Sequence, residues 1–280
     1  MRARSGPTLE HRVLAARLRM MRERAGVPLA DAARALDAHP ATVRRIERAE
    51  TGLDARQVEA LLARYGVPEA EAASVLARLG AANLPGWWHR WRDAMEPWQF
   101  DVIGMESSAG LVRTWHPALV PELLRTPAYA AALHRTAYPD DTAARLERRL
   151  ELLHERQARL HARGAALWAL LPAAALHTDV GGPAVMARQR AALDEAAARV
   201  PRLTVQVVPL DHPPHPLTGS PPLHLLRVPA PEIGDRAVVE TPGIRIDVFD
   251  DPDTVNQHRS RLDAACAAAP PPGTPLPHRC

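Results

Sequence analysis

A chain of 280 residues, 46% of them hydrophobic, can form one large core or two smaller ones. It has no run of about 18 apolar residues, no charged tip before an apolar stretch at its start, and only two cysteines, Cys266 and Cys280, so a membrane span, a secretory leader and a disulfide framework are not expected and the reading is cytoplasmic. The net charge of +3 is too small to mark a nucleic-acid binder by bulk, but it is uneven: residues 1–80 hold 14 arginines against 10 acids, the rest 21 against 22, and lysine is absent.

The apolar spacing predicts a first helix over Leu9–Arg24, with Val13, Leu14, Leu18 and Met21 on one face and a stop at Gly26. A second helix is expected over Pro28–Leu36, where Leu29, Ala32, Ala33 and Leu36 form an i, i+3, i+4, i+7 stripe. A third opens at Pro40, whose missing N–H costs nothing in a first turn, turns Val43 and Ile46 inward and ends near Ala49. Helices over Ala55–Tyr65 and Glu69–Leu79 complete an all-α five-helix domain spanning 9–80.

Residues 81–101 change character, with four of the six tryptophans, and read as a linker. From Val102 to about Arg163 the pattern is again helical. Short strands are then expected at Leu167–Leu171, Leu203–Val208, Leu223–Val228, Ala237–Glu240 and Ile244–Phe249, with helices at Pro183–Arg199 and Pro252–Ala268. The reading is an α+β domain over 102–268 with a small mixed or antiparallel sheet, and a disordered proline-rich tail over 269–280.

The second and third helices, joined by a tight turn, have the form of a helix-turn-helix. The third is poor in large apolar residues on its outer face, as insertion into a major groove requires. Its outward positions are Ala41, Thr42, Arg44, Arg45 and Arg48. Arg45 suits bidentate donation to guanine; Arg44 and Arg48 suit phosphates.

Over RMMRERAGVPLADAARALDAHPATVRRIERAETG the chain resembles the Xre family of repressors. The resemblance implies double-stranded DNA as partner and a structural ion pair between Arg22 and Glu47. Pro40 and Ala41 depart from the polar residues usual at the start of that helix, and Glu50 and Asp54 place acids where phosphates are expected. The segments GMESSAGLVRTW, VPELLRTPAYAAAL, RLERRLELLHERQARL, VGGPAVMARQRAALDEA and LTVQVVPL resemble the C-terminal domain of WhiJ-like actinobacterial regulators. That resemblance implies a surface sensing a small-molecule effector or a small partner protein. Glu122, Arg125 and the region of Ala173 depart from its pattern, which directs attention to them in recognition.

Trp87 and Trp91, four apart, are expected on one helical face, and with Trp98, Glu106 and Trp115 they form either a candidate ligand pocket or simple packing glue. Glu106 reads as a buried acid with a raised pKa or as a carboxylate paired with an arginine. Gly181 and Gly182 read as a tight turn ahead of a helix. No histidine triplet has metal-ligand spacing, and no cofactor or catalytic constellation is seen. The functional expectation is a homodimeric DNA-binding transcriptional regulator; alternatives are a scaffold repurposed as an enzyme or accessory protein in specialised metabolism, or a toxin–antitoxin component.

Overall fold

The computed structural model describes residues 7–241 and 245–277, with the side chain of Arg245 outside the description. Two compact units are present, Met1–Arg90 with Ala230–Ile233, and Trp91–Pro229 with Gly234–Cys280.

The first unit contains α1 (Leu9–Arg24), α2 (Leu29–Ala35), α3 (Pro40–Glu47), α4 (Ala55–Arg64) and α5 (Glu69–Ala82). Thr8 starts α1 by accepting the His11 N–H at 3.4 Å, and Gly26, at φ +65°, takes the left-handed conformation that ends it. The turn between α2 and α3 passes through Asp37 at φ 48°, a conformation aspartate tolerates better than most side chains. Leu14, Leu18, Val43, Ile46, Val58 and Leu61 pack in one cluster, each fully buried aliphatic side chain contributing about 1.5–3 kcal/mol of transfer free energy.

The second unit holds α6 (Gln99–Glu106), β1 (Leu111–Trp115), α7 (Pro127–Ala137), α8 (Ala143–Ala162), β2 (Ala166–Pro172), α9 (Ala174–His177), α10 (Pro183–Arg199), β3 (Leu203–Val208), β4 (Leu223–Arg227), β5 (Arg236–Thr241), β6 (Arg245–Phe249) and α11 (Pro252–Ala268). The sheet order is β3-β2-β1-β4-β5-β6, parallel across β3, β2 and β1 and antiparallel from β1 through β6. The fold is therefore a helical helix-turn-helix region followed by an α+β unit with a six-stranded mixed sheet.

Strand alternation sorts the core. Val112, Leu167, Leu226 and Val238 share one face and meet Met105 and Leu160 of α6 and α8, while Val205 and Val207 meet Leu193 of α10. Trp115, Leu170, Leu223, Leu225 and Ala237 share the other face and meet Val255, Leu262 and Ala265 of α11. At the entry to α10, Gly181 has φ +75°, and a Cβ there would stand 2.7 Å from the Cβ of Ala132 on α7.

Two expectations are corrected. The helical reading of 102–163 fails at Leu111–Trp115, which is the strand between β2 and β4. Flanking helices at the 3.6 period mask five residues of period-2 pattern, in which Leu111, Arg113 and Trp115 face one way and Val112 and Thr114 the other. The tail, expected to be disordered from 269, instead buries Leu276 beside Leu171 and Val205, and Gln206 donates to the Pro270 carbonyl at 2.8 Å. Residues 278–280 lie outside the described residues.

Candidate nucleic-acid interface and the polar cavity of the second unit

Pro40 occupies the first turn of α3, and the His39 ring caps it, Nδ1 accepting the Ala41 N–H at 3.2 Å. The inner face buries Val43, Ile46 and Glu47. The Glu47 carboxylate accepts from Arg22 Nε at 2.6 Å and Nη2 at 3.0 Å, while Arg22 Nη1 donates to the Val27 carbonyl at 3.2 Å. This two-pronged pair joins α3 to α1, and hydrogen bonding to Glu47 holds the Arg22 guanidinium above its ordinary pKa against the opposing effect of burial.

On the outer face Ala41, Arg44, Arg45 and Arg48 are exposed and Thr42 is half-buried. Among the described residues Arg44 and Arg45 have no ion-pair partner, whereas Arg48 stands 3.9 Å from Glu50. Asp54 caps α4, accepting the Gln57 N–H at 3.1 Å. One of the two acids that depart from the Xre pattern is thus engaged in its own helix. The Leu53 backbone ahead of that cap is clamped by Asn83, whose Oδ1 accepts the Leu53 N–H at 3.1 Å and whose Nδ2 donates to the Leu53 carbonyl at 2.8 Å. A short helix with a rigid inner face and three outward guanidiniums is equipped to meet base edges and phosphates.

In the second unit a cavity of about 30 Å³ lies under α6 and α8, room for only one or two water molecules. Arg156 crosses it, donating from Nε and Nη2 to Glu106 at 2.9 and 2.8 Å, and standing 2.6 Å from Glu122 through Nη1. Burial works against charge on Arg156, but the two carboxylates outweigh it and raise its pKa. Glu122 is likewise opposed by burial, yet Arg156 and Arg125 hold its carboxyl below the usual range. Across the cavity His224 Nε2 lies 2.9 Å from Glu240, whose carboxyl His224 keeps low despite burial. The buried Thr114 hydroxyl lines the same space and has no hydrogen-bond partner among the described residues.

His116, the residue after β1, uses Nδ1 to accept the N–H groups of Ala118 at 3.2 Å and Leu119 at 2.9 Å. Burial, with Arg125 nearby, pushes its pKa down to about 4.

Of the residues grouped at the sequence level, those of the second unit do not all line one cavity. Trp98 and Glu106 line the cavity. Trp115 is on the opposite face of the sheet, edge-on to His215 at 5.1 Å. Trp87 belongs to the first unit and packs edge-on against Trp88 at 5.8 Å. Trp91, in the second unit, donates its indole N–H to Glu151 at 3.3 Å. Trp87–Ala94 is a 3-10 turn with a break at Trp91, not the regular α-helix that the spacing of Trp87 and Trp91 presumed. Of the departures from the WhiJ-like pattern, Glu122 reaches the cavity and Arg125 donates to the Val120 carbonyl at 2.8 Å.

Sequence reasoning missed Arg156, although a signal existed: it sits four residues from both Leu152 and Leu160 on the buried stripe of α8. Thr114, His116, His224 and Glu240 had no local signal.

A family model described as a domain of unknown function, DUF5753, matches residues 99–274, more than half of the chain. The chain belongs to the DUF5753 family. The matched span takes in all six strands of the second unit and every helix from α6 to α11, so the Glu106–Arg156–Glu122 cluster lies inside the DUF5753 domain. A second family model, described as a helix-turn-helix domain, matches residues 13–75, from within α1 to within α5. The first unit thus carries a module that points to DNA binding and transcription regulation. No curated protein and no solved structure matches the chain. Among the described residues no helix is long and apolar enough to cross a membrane.

Proposed function

We propose that this DUF5753 protein is a sequence-specific transcriptional regulator of Xre type, that it binds operator DNA as a homodimer, and that its WhiJ-like second unit adjusts binding in response to an effector or a small partner protein. The carrying observation is the outer face of α3, where Arg44 and Arg45 stand exposed and unpaired among the described residues while Val43, Ile46 and Glu47 fix the inner face. Arg45 acts on guanine, worth about 1–3 kcal/mol of discrimination, and Arg44 and Arg48 act on phosphates. Glu50 trims the contribution of Arg48 by standing beside it.

Selection from random double-stranded DNA on the full chain, followed by fluorescence anisotropy, tests the reading. Wild type enriches one motif. Arg45→Ala loses preference at one base position, whereas Arg44→Ala weakens all sequences alike and lowers the salt slope by about one. No enrichment, or an Arg44→Ala/Arg45→Ala protein that stays folded and still binds, defeats the proposal.

A further inference from the structure

The polar cavity is too small for a ligand as it stands, but the other face of the same sheet is not closed. Between the N-terminal half of α11 and strands β1 and β4 lies an open groove of about 510 Å³, within the usual range of small-molecule sites, about 300–1,000 Å³. Its floor is apolar: Leu111 on β1, Leu225 on β4, Val255 on α11, with Trp168 of β2 beside them. Leu225 and Val255 are buried at its base, where α11 packs on the sheet, while Leu111 and Trp168 are half-buried along its side.

The rim has unbalanced charge. Arg113 is engaged with Asp263 and lies 4.9 Å over the Trp168 ring, and Arg227 stands 3.4 Å from Asp235. Arg259, between Val255 and Asp263 on α11, has no ion-pair or hydrogen-bond partner among the described residues. Three guanidiniums against two carboxylates leave one positive charge beside an apolar surface. A guanidinium presents paired donors suited to the oxygens of a carboxylate or phosphate.

We propose that this groove binds a small amphipathic anion, its carboxylate or phosphate on Arg259 and its apolar body against Leu111, Leu225 and Trp168. The inference rests on the effector half of the functional reading and names the ligand chemistry: one negative group on a ring or chain of apolar carbons. Arg227 assists when the anion draws it from Asp235.

Isothermal titration of the full chain, without DNA, uses 2-naphthoate, 1-naphthyl phosphate and the neutral 2-naphthalenemethanol. At least one anion should bind saturably below millimolar, with the neutral compound about tenfold weaker, as expected for one charge-assisted contact. Arg259→Gln should lose about the same factor and Arg259→Lys should recover part of it. The carboxylate and phosphate arms decide which anionic group the groove prefers. Absence of anion binding at millimolar concentration, equal binding of the neutral compound, or an unchanged Arg259→Gln protein overturns the proposal. Because DNA is left out, failure here and failure of operator binding are read separately.

Discussion

At the scale of single residues, the most consequential group in the second unit is Arg156. Its guanidinium is buried, and among the described residues it is satisfied by Glu106 and Glu122. Arg156→Met leaves the buried Glu106 carboxylate uncompensated, and urea unfolding should show a loss of about 3–5 kcal/mol; the double variant with Glu106→Gln should recover part of it. His116 makes the companion prediction in pH. Its ring accepts two backbone N–H groups, and its pKa of about 4 lies below the ordinary value of 6.5, so the folded state resists protonation that the unfolded chain accepts. The stability this supplies is complete above about pH 6.5 and is lost as pH falls toward 4, on the order of 3 kcal/mol in total. His116→Asn keeps an acceptor but cannot titrate, so its melting temperature should fall less than wild type across that window. A parallel decline in both proteins would remove His116 as the cause. The partners of Arg156 were not legible in the sequence, because Glu106 and Glu122 reach it from separate segments. Arg22 and Glu47 were expected to pair only through the likeness to Xre repressors, and they lie in contact.

At the scale of elements, the helices of the first unit were legible because each carries its own stripe and its own stop. β1 was not, since its identity comes from the strands on either side: Arg113 lies opposite both Trp168 and Leu225. A five-residue strand buried by neighbours on both edges has little local signature of its own. The loop between α3 and α4 shows the same dependence on distant residues. Leu53 is 3% exposed, and both its backbone groups are satisfied by Asn83 at the end of α5, thirty positions away. Asn83→Ala should cost about 1–2 kcal/mol, two modest hydrogen bonds and a partly unsatisfied backbone. Asn83→Asp keeps the acceptor but not the donor, so its loss should be smaller. Thermal melts of the two variants test this, and equal losses would show that the clamp does not act through its two bonds.

At the scale of the whole molecule, the split into a helical module and an α+β unit was legible from the change of composition over residues 81–101 and the strand patterns read beyond Arg163, while the sheet order β3-β2-β1-β4-β5-β6 was not, because it depends on pairings across more than a hundred residues. The single recognition helix of the first unit sets the last prediction. α3 has eight residues, and on the proposed reading Arg45 is its base-reading arginine, so one copy would cover only a half-site. Two copies related by a two-fold axis would read an inverted repeat whose half-sites fall about 10–11 base pairs apart, one turn of the duplex, so that both helices meet the major groove on the same side. Once the half-site motif is known, a series of duplexes with the repeats moved apart one base pair at a time should bind with a periodic profile. Affinity should be highest at one-turn spacing, fall when about 5 base pairs are added and the second half-site rotates to the far side, and partly return at two turns. Analytical ultracentrifugation on the same duplexes should give two chains per DNA at the favoured spacing. A flat profile with one chain per duplex would make the protein a monomeric reader and leave the homodimer without support.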